Sequence, residues 1–300
     1  MCRNVSLIFF SLFAAILTGC AQTPPVSERP QMGNLLLAEP APINPRSEMA
    51  IARYNQVLTS PALSDEDKAE LHFQRGMLYD SVGLSGLAQF DYTQAINLKP
   101  DLAEAYNSMG IHYIQQNDFI QAYDAFDSTL EINPEYDFAF LNRGIALYYG
   151  GRAELATNDL NRFFEKDDSD PFRALWAYFA HHDVSELEGQ EYLASIRPTL
   201  DNQHWATTLV DLFLGTVDEN DVLNSLLDGV KSQKALTDRL CEAYFYLGKF
   251  HTQRGNSGIA SNYFKLALST NVFDYVEHRY ARMELNRLRE LASSDLVSEE

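Results

Sequence analysis

The chain has 300 residues, 46% of them hydrophobic, with 23 Lys and Arg against 42 Asp and Glu and a net charge of −19. That balance repels nucleic acid and anionic lipid headgroups, so neither is an expected partner; its plainest use is solubility, with steering of basic partners the alternative. Of three cysteines, Cys2 and Cys20 lie at the front, which leaves Cys241 as the only later thiol and excludes a disulfide framework there.

Residues 1–19 read as an export signal, with Arg3 as a positive start, an apolar run from Val5 to Leu17, and small residues at Thr18 and Gly19. The run is shorter than the ~20 residues that a membrane-spanning helix needs. The string Leu17-Thr18-Gly19-Cys20 resembles a bacterial lipobox, which implies lipid attachment at Cys20. Ala21 at the following position, rather than an aspartate, implies sorting to the outer membrane, with the protein facing the periplasm. Residues 20–46 hold six prolines, at 24, 25, 30, 40, 42 and 45, and no apolar period. They are expected to form a flexible, lipidated tether, which fully extended would reach up to roughly 80 Å.

Within residues 47–62 the run SEMAIARYNQVL places apolar side chains at 49, 51, 54, 57 and 58 on one helical face. A helix of about 12 residues does not persist alone, so this face must dock, and a dimer interface is its expected use. Ser64, followed by Asp65, Glu66 and Asp67, is expected to cap the next helix.

Residues 63–168 carry a period of 34. Gly76, Gly110 and Gly144 keep that spacing, as do Ala88, Ala122 and Ala156, and Tyr92, Phe126 and Leu160. Pro100 and Pro134 close the first two units, and Asp168 stands at the third. This register resembles the tetratricopeptide (TPR) pattern, in which small residues let the two helices of a repeat touch and large ones fill the seam between repeats. The resemblance implies an all-α solenoid of helical hairpins with flanking helices at both ends.

Residues 169–240 have room for two degenerate helical pairs, the first capped by Asp170 with Pro171 as its first helical residue. Residues 241–291 hold a last repeat, in which Tyr244, Gly248, Ala260 and Phe264 restore the spacing, and a capping helix from about residue 274. Glu277, His278 and Glu284 are expected on its solvated face. Cys241 lies in an apolar helical stretch and is expected to be buried and inert. Residues 292–300 read as a disordered acidic tail.

No hydrolase elbow, S-x-x-K, H-E-x-x-H or phosphate-binding glycine loop occurs in the sequence. His181, His182 and His204 do not make a metal set, because adjacent histidines point in different directions. No enzyme activity, cofactor or metal is expected; what remains is a binding surface. By the TPR pattern, the concave side is lined by Phe73, Met77 and Asp80, by Asn107, Ile111, Ile114 and Gln115, and by Phe138, Leu141, Ile145, Tyr148 and Tyr149, with Asn142 one position off the set. The partner-binding groove is assigned to Phe73, Met77, Asn107, Ile111, Phe138, Leu141, Asn142, Ile145, Tyr148 and Tyr149. Any of these side chains could instead pack against a neighbouring repeat, the first helix or a second subunit. The Lys and Arg residues of a carboxylate clamp are missing, which disfavours capture of an acidic tail.

The runs QRGMLYDSVGL at 74–84, FDSTLEINP at 126–134, LNRGIALYYGGR at 141–152, DPFRALW from 170 and VEHRYA from 276 are more specific than a bare TPR match. Together they resemble the NlpI family of outer-membrane TPR lipoproteins of gamma-proteobacteria. The resemblance implies a homodimeric, non-catalytic adaptor that brings a tail-specific periplasmic protease to murein endopeptidases and scaffolds other murein hydrolases. Two other classes remain consistent with the residues: a TPR lipoprotein of outer-membrane barrel assembly or pilus biogenesis, and a murein hydrolase without a recognised motif.

Lipidation can be tested directly. Cys20→Ala is expected to leave an unprocessed precursor or a protein lost from the outer-membrane fraction; normal processing and unchanged partitioning would refute the assignment.

Overall fold

The computed structural model describes residues 35–37 and 39–298, so Cys20, the export signal and the first part of the proline-rich segment lie outside the described residues. The described chain holds fourteen α-helices, one 3₁₀ turn and no strand. They are α1 (Pro45–Val57), α2 (Asp65–Ser81), α3 (Ser85–Leu98), α4 (Ala103–Gln115), α5 (Phe119–Ile132), α6 (Asp137–Tyr149) and α7 (Ala153–Glu165). There follow α8 (Pro171–Val184), α9 (Glu186–Ile196), the 3₁₀ turn Arg197–Thr199, α10 (Thr207–Leu214), α11 (Glu219–Ser225), α12 (Gln233–Gln253), α13 (Ser257–Ser269) and α14 (Val276–Ser298).

Helix starts follow the expected capping chemistry. Ser64 Oγ accepts from the Asp67 amide at 3.1 Å, and Asp170 Oδ1 accepts from the Phe172 amide at 2.7 Å, with Pro171 next. The turn within four of the hairpins uses a left-handed residue. Gly83, Asn117 and Gly151 supply it at the 34-residue spacing with φ of 76°, 59° and 72°, and Gly255 does so in the last repeat with φ of 72°.

Each hairpin, α2 on α3, α4 on α5, α6 on α7, α8 on α9 and α12 on α13, buries its apolar faces helix to helix. The glycines set the closeness of that approach. A Cβ on Gly110 would lie 2.5 Å from the Phe126 ring, and one on Gly248 would lie 2.5 Å from the Phe264 ring. Gly76 meets Tyr92 at 2.7 Å and Gly144 meets Leu160 at 2.6 Å in the same sense. The fold is therefore an all-α TPR solenoid with flanking helices.

Several boundaries differ from expectation. Leu36, Glu39 and Ala41 fall in the stretch expected to be a flexible tether, yet they are bonded to the far end of the array. The Tyr244 hydroxyl donates to the Leu36 carbonyl, Thr237 Oγ1 donates to Glu39 O at 3.2 Å, and the Ala41 amide donates to Thr270 O at 2.7 Å. Next, α1 docks on α2, with Ile51, Tyr54 and Val57 half-buried, and Arg75 donates to Asn55 Oδ1 at 2.7 Å. Met49 stays 65% exposed, so part of the apolar face is uncovered. Finally, α14 continues through Ser298, into the stretch expected to be disordered.

α14 also does more than cap the last repeat. It packs on α12 and α13 and reaches α4, and Tyr280, Ala281, Met283, Glu284, Leu285 and Leu288 are all buried. Glu277 and His278, expected on a solvated face, are buried as well. The Tyr246 hydroxyl donates to Glu277 at 3.0 Å, and His278 Nε2 lies 3.1 Å from the Leu268 carbonyl.

Replacement of Gly110 by alanine is expected to cost about 1–3 kcal/mol, because the added methyl overpacks a ring that has no room to move. Urea unfolding should show the loss, and Phe126→Leu in the same chain should recover part of it. A neutral Gly110→Ala would mean that the two helices can simply separate.

Candidate functional site

The inner side of the array is filled at one end and open at the other. In the third repeat, Leu141, Asn142, Ile145, Tyr148 and Tyr149 are buried, the two tyrosines under side chains of α8, α12 and α14. Tyr148 and Tyr149 touch each other with ring centroids 4.9 Å apart; Tyr148 meets Phe179 at 6.5 Å and Tyr149 meets Tyr280 at 5.5 Å. Into this aromatic cluster come two opposite charges. Lys249 Nζ pairs with Glu284 Oε1 and donates to the Tyr148 hydroxyl at 2.6 Å, and the Tyr149 hydroxyl donates to Glu284 Oε1 at 2.9 Å. The ammonium also stands 4.8 Å from the Tyr148 ring centre and 4.9 Å from that of Phe179.

Burial alone would push the Lys249 ammonium down, but the Glu284 charge and the Tyr148 hydroxyl outweigh it and hold the group above its ordinary range. Burial beside Glu284 likewise holds the Tyr149 hydroxyl protonated, well above its usual value. Leu141, Asn142, Ile145, Tyr148 and Tyr149 are therefore core, not client anchors, and at Tyr149 it is α14, through Glu284 and Tyr280, that occupies the place a client would take. Asn142 Nδ2 donates to Asn107 Oδ1 at 3.0 Å, so these two amides, expected to hold a client backbone, bond to each other in the interior. Phe138 is 57% exposed but lies against Phe163, at the start of α6.

The open part lies between α2 and α4. A cavity of about 200 Å³ is lined by Phe73, Met77 and Asp80 from α2, by Ile111, His112 and Gln115 from α4, and by Asp274 and Arg279 near the start of α14. Its floor is polar and tied together: the Tyr92 hydroxyl donates to Asp80 Oδ2 at 2.7 Å, and His112 Nε2 lies 3.1 Å from the same oxygen. Burial, with Asp80 nearby, raises the Asp274 carboxyl, while Arg279 pulls it back down. The rim is apolar, with Met77 46% exposed and Ile111 half-buried. Such a site suits a side chain with an apolar stem and a polar tip.

Of the ten assigned groove residues, Phe73, Met77 and Ile111 are brought together here, and Asp80 and Gln115 from the wider concave set join them. Tyr92, His112, Asp274 and Arg279 were missed. The first two belong to the TPR period but point inward from helices read for packing. The other two come from a loop and helix start nearly 200 residues further along, for which no local signal exists.

Outside the groove, His181 stacks on Tyr192 with ring centroids 4.0 Å apart and lies 2.8 Å from Glu188, whereas His204 packs on Phe172. No group that could hold a metal ion occurs among the described residues. Cys241 is fully buried, and burial raises its thiol far above the range of a reactive thiolate.

Residues 69–102 match the tetratricopeptide repeat family. Among solved structures, the chain is similar to a tetratricopeptide repeat protein from Parabacteroides merdae, at 14% identity and a TM-score of 0.49, covering 81% of this chain and 91% of that one. It is similar to MamA from Desulfovibrio magneticus, at 16% identity and a TM-score of 0.42, over 68% of this chain and 95% of that one. A third similarity, to pilF of Pseudomonas aeruginosa, has 13% identity and a TM-score of 0.40, over 80% and 99% of the two chains. TPR repeats of this kind serve as protein-interaction scaffolds and are typically non-catalytic.

The Lys249 node is open to test. Lys249→Met is expected to cost about 3–5 kcal/mol, since it strands Glu284 in the interior, and Lys249→Met with Glu284→Leu should recover most of it. Denaturant unfolding reads both. A single variant as stable as the parent would show that water reaches the pair.

Proposed function

We propose that this protein is an outer-membrane lipoprotein, anchored through Cys20 and facing the periplasm, that acts as a homodimeric adaptor between a tail-specific protease and murein endopeptidases or other murein hydrolases. The reading of partners and place rests on the lipobox and on the specific strings at 74–84, 126–134, 141–152 and 276–281. The observation that carries the adaptor reading is the open cavity between α2 and α4, an apolar rim over a polar floor, beside a third repeat in which Leu141, Asn142, Ile145, Tyr148 and Tyr149 are buried. Client segments enter at the first two repeats. The exposed part of α1, at Met49, is the surface assigned to the second copy.

Crosslinking in native envelopes followed by affinity capture and mass spectrometry tests this. The parent protein should enrich a tail-specific protease together with a murein endopeptidase. Met77→Glu with Ile111→Glu places charge on the apolar rim and should reduce recovery of a client at least about tenfold, with an unchanged circular dichroism melt. Enrichment of neither class, or full recovery by the folded double variant, would overturn the reading.

A further inference from the structure

The three complete repeats differ on their outer side, where each first helix meets the second helices of its own and the preceding repeat. In the third repeat that space is packed with cations. Arg143 donates to Asp159 through Nε at 2.7 Å and Nη2 at 2.8 Å, and its Nη1 reaches Asp127 of α5 at 2.7 Å. Arg143 and Arg162 both stand over the Phe140 ring, at 5.9 and 3.9 Å. In the first repeat Arg75 does the same work, donating to Asp91 at 2.7 and 2.6 Å, reaching Asn55 of α1, and standing 5.7 Å from the Tyr79 ring.

The 34-residue register gives the counterparts in the second repeat. Met109 stands where Arg75 and Arg143 stand, Ala125 where Asp91 and Asp159 stand, Ser128 in place of Arg162, and Thr93 in place of Asp127. Every cation has gone, and the aromatic residues remain as Tyr106 and Tyr113. The result is an open slot of about 260 Å³ between α3, α4 and α5, walled by these tyrosines, Met109 and Ile96. At its rim are Asp124, Gln121 and Asn97, all exposed, and among the described residues Asp124 has no cationic partner.

We infer that this outer slot of the second repeat receives an arginine side chain from a basic segment of a partner protein. The guanidinium lies against the Tyr106 and Tyr113 rings and donates to Asp124, repeating from outside the packing that Arg143 provides from within. Three features select that occupant. The fold twice places an arginine in the equivalent space, flat aromatic faces suit a planar cation better than a compact ammonium, and a chain of net charge −19 draws basic partners. The site lies on the opposite side of α4 from the inner groove and does not depend on the function proposed for that groove.

The test uses the full chain with its six methionines labelled at the methyl carbon, the Met109 signal being identified by its loss in Met109→Leu. The probes are a short synthetic peptide with one central arginine and matched peptides carrying citrulline or lysine instead. The arginine peptide should shift the Met109 methyl saturably and bind about tenfold more tightly than the citrulline peptide, with lysine between them. Asp124→Asn should weaken it several-fold. Met109→Arg with Ala125→Asp, which rebuilds the internal pair of the other repeats, should abolish binding of the same peptide, read by fluorescence anisotropy. Met77→Glu with Ile111→Glu should leave it unchanged. No saturable shift, equal binding of the citrulline or lysine peptide, or undiminished binding by both Asp124→Asn and the refilled slot would overturn the inference.

Discussion

The Lys249–Glu284 pair is the interaction on which the inner architecture depends. Two charges in an aromatic interior are tolerated only when every strong donor and acceptor finds a partner, and here two tyrosine hydroxyls complete the set. The partners come from α6, α12 and α14, so satisfying them fixes three distant helices at one point. Once α14 is held there, Arg279 and Asp274 are carried to the edge of the first repeat, where they wall the open cavity. The same event that closes the third repeat therefore shapes the site left open beside the first.

Within its hairpins the structure uses a second device, a glycine facing a large side chain. It is repeated at Gly76, Gly110, Gly144 and Gly248 with nearly constant geometry, which gives the array regular hairpins. The outer sides do not share that regularity. Arginine–aspartate pairs tie helices together in the first and third repeats, while the second relies on Met109 and Ala125. Arg143 is held above its ordinary value chiefly by its bond to Asp159, with burial opposing. That is the balance expected of a guanidinium used as structure.

Much of the fold was legible because its signals are local and periodic. The caps at Ser64 and Asp170, the glycines at 34-residue spacing and the recurrence at Gly248 each depend on residues within one hairpin. The groove was legible only in part. Asp80 and Gln115 line open space, whereas Tyr148 and Tyr149 stand at the equivalent positions two periods and one period further on and are buried, Tyr149 against a helix more than 100 residues away. Periodicity states which way a side chain points and says nothing of what will arrive there. The burial of Glu277, His278 and Glu284 escaped for the opposite reason: charged residues on a helix read as solvated unless their partners, Tyr246, the Leu268 carbonyl and Lys249, are known to face them.

The short segment before α1 has a mechanical consequence. Its backbone is fastened through Leu36, Glu39 and Ala41 to Tyr244 and Thr237 of α12 and to Thr270 at the end of α13, not to the first repeat that follows it in the chain. Tension entering at residue 35 would load those three hydrogen bonds first, at the last repeat, and α1 would feel it only after they had parted. The chain thus carries a strain relief between its leading end and the repeats that hold the open groove.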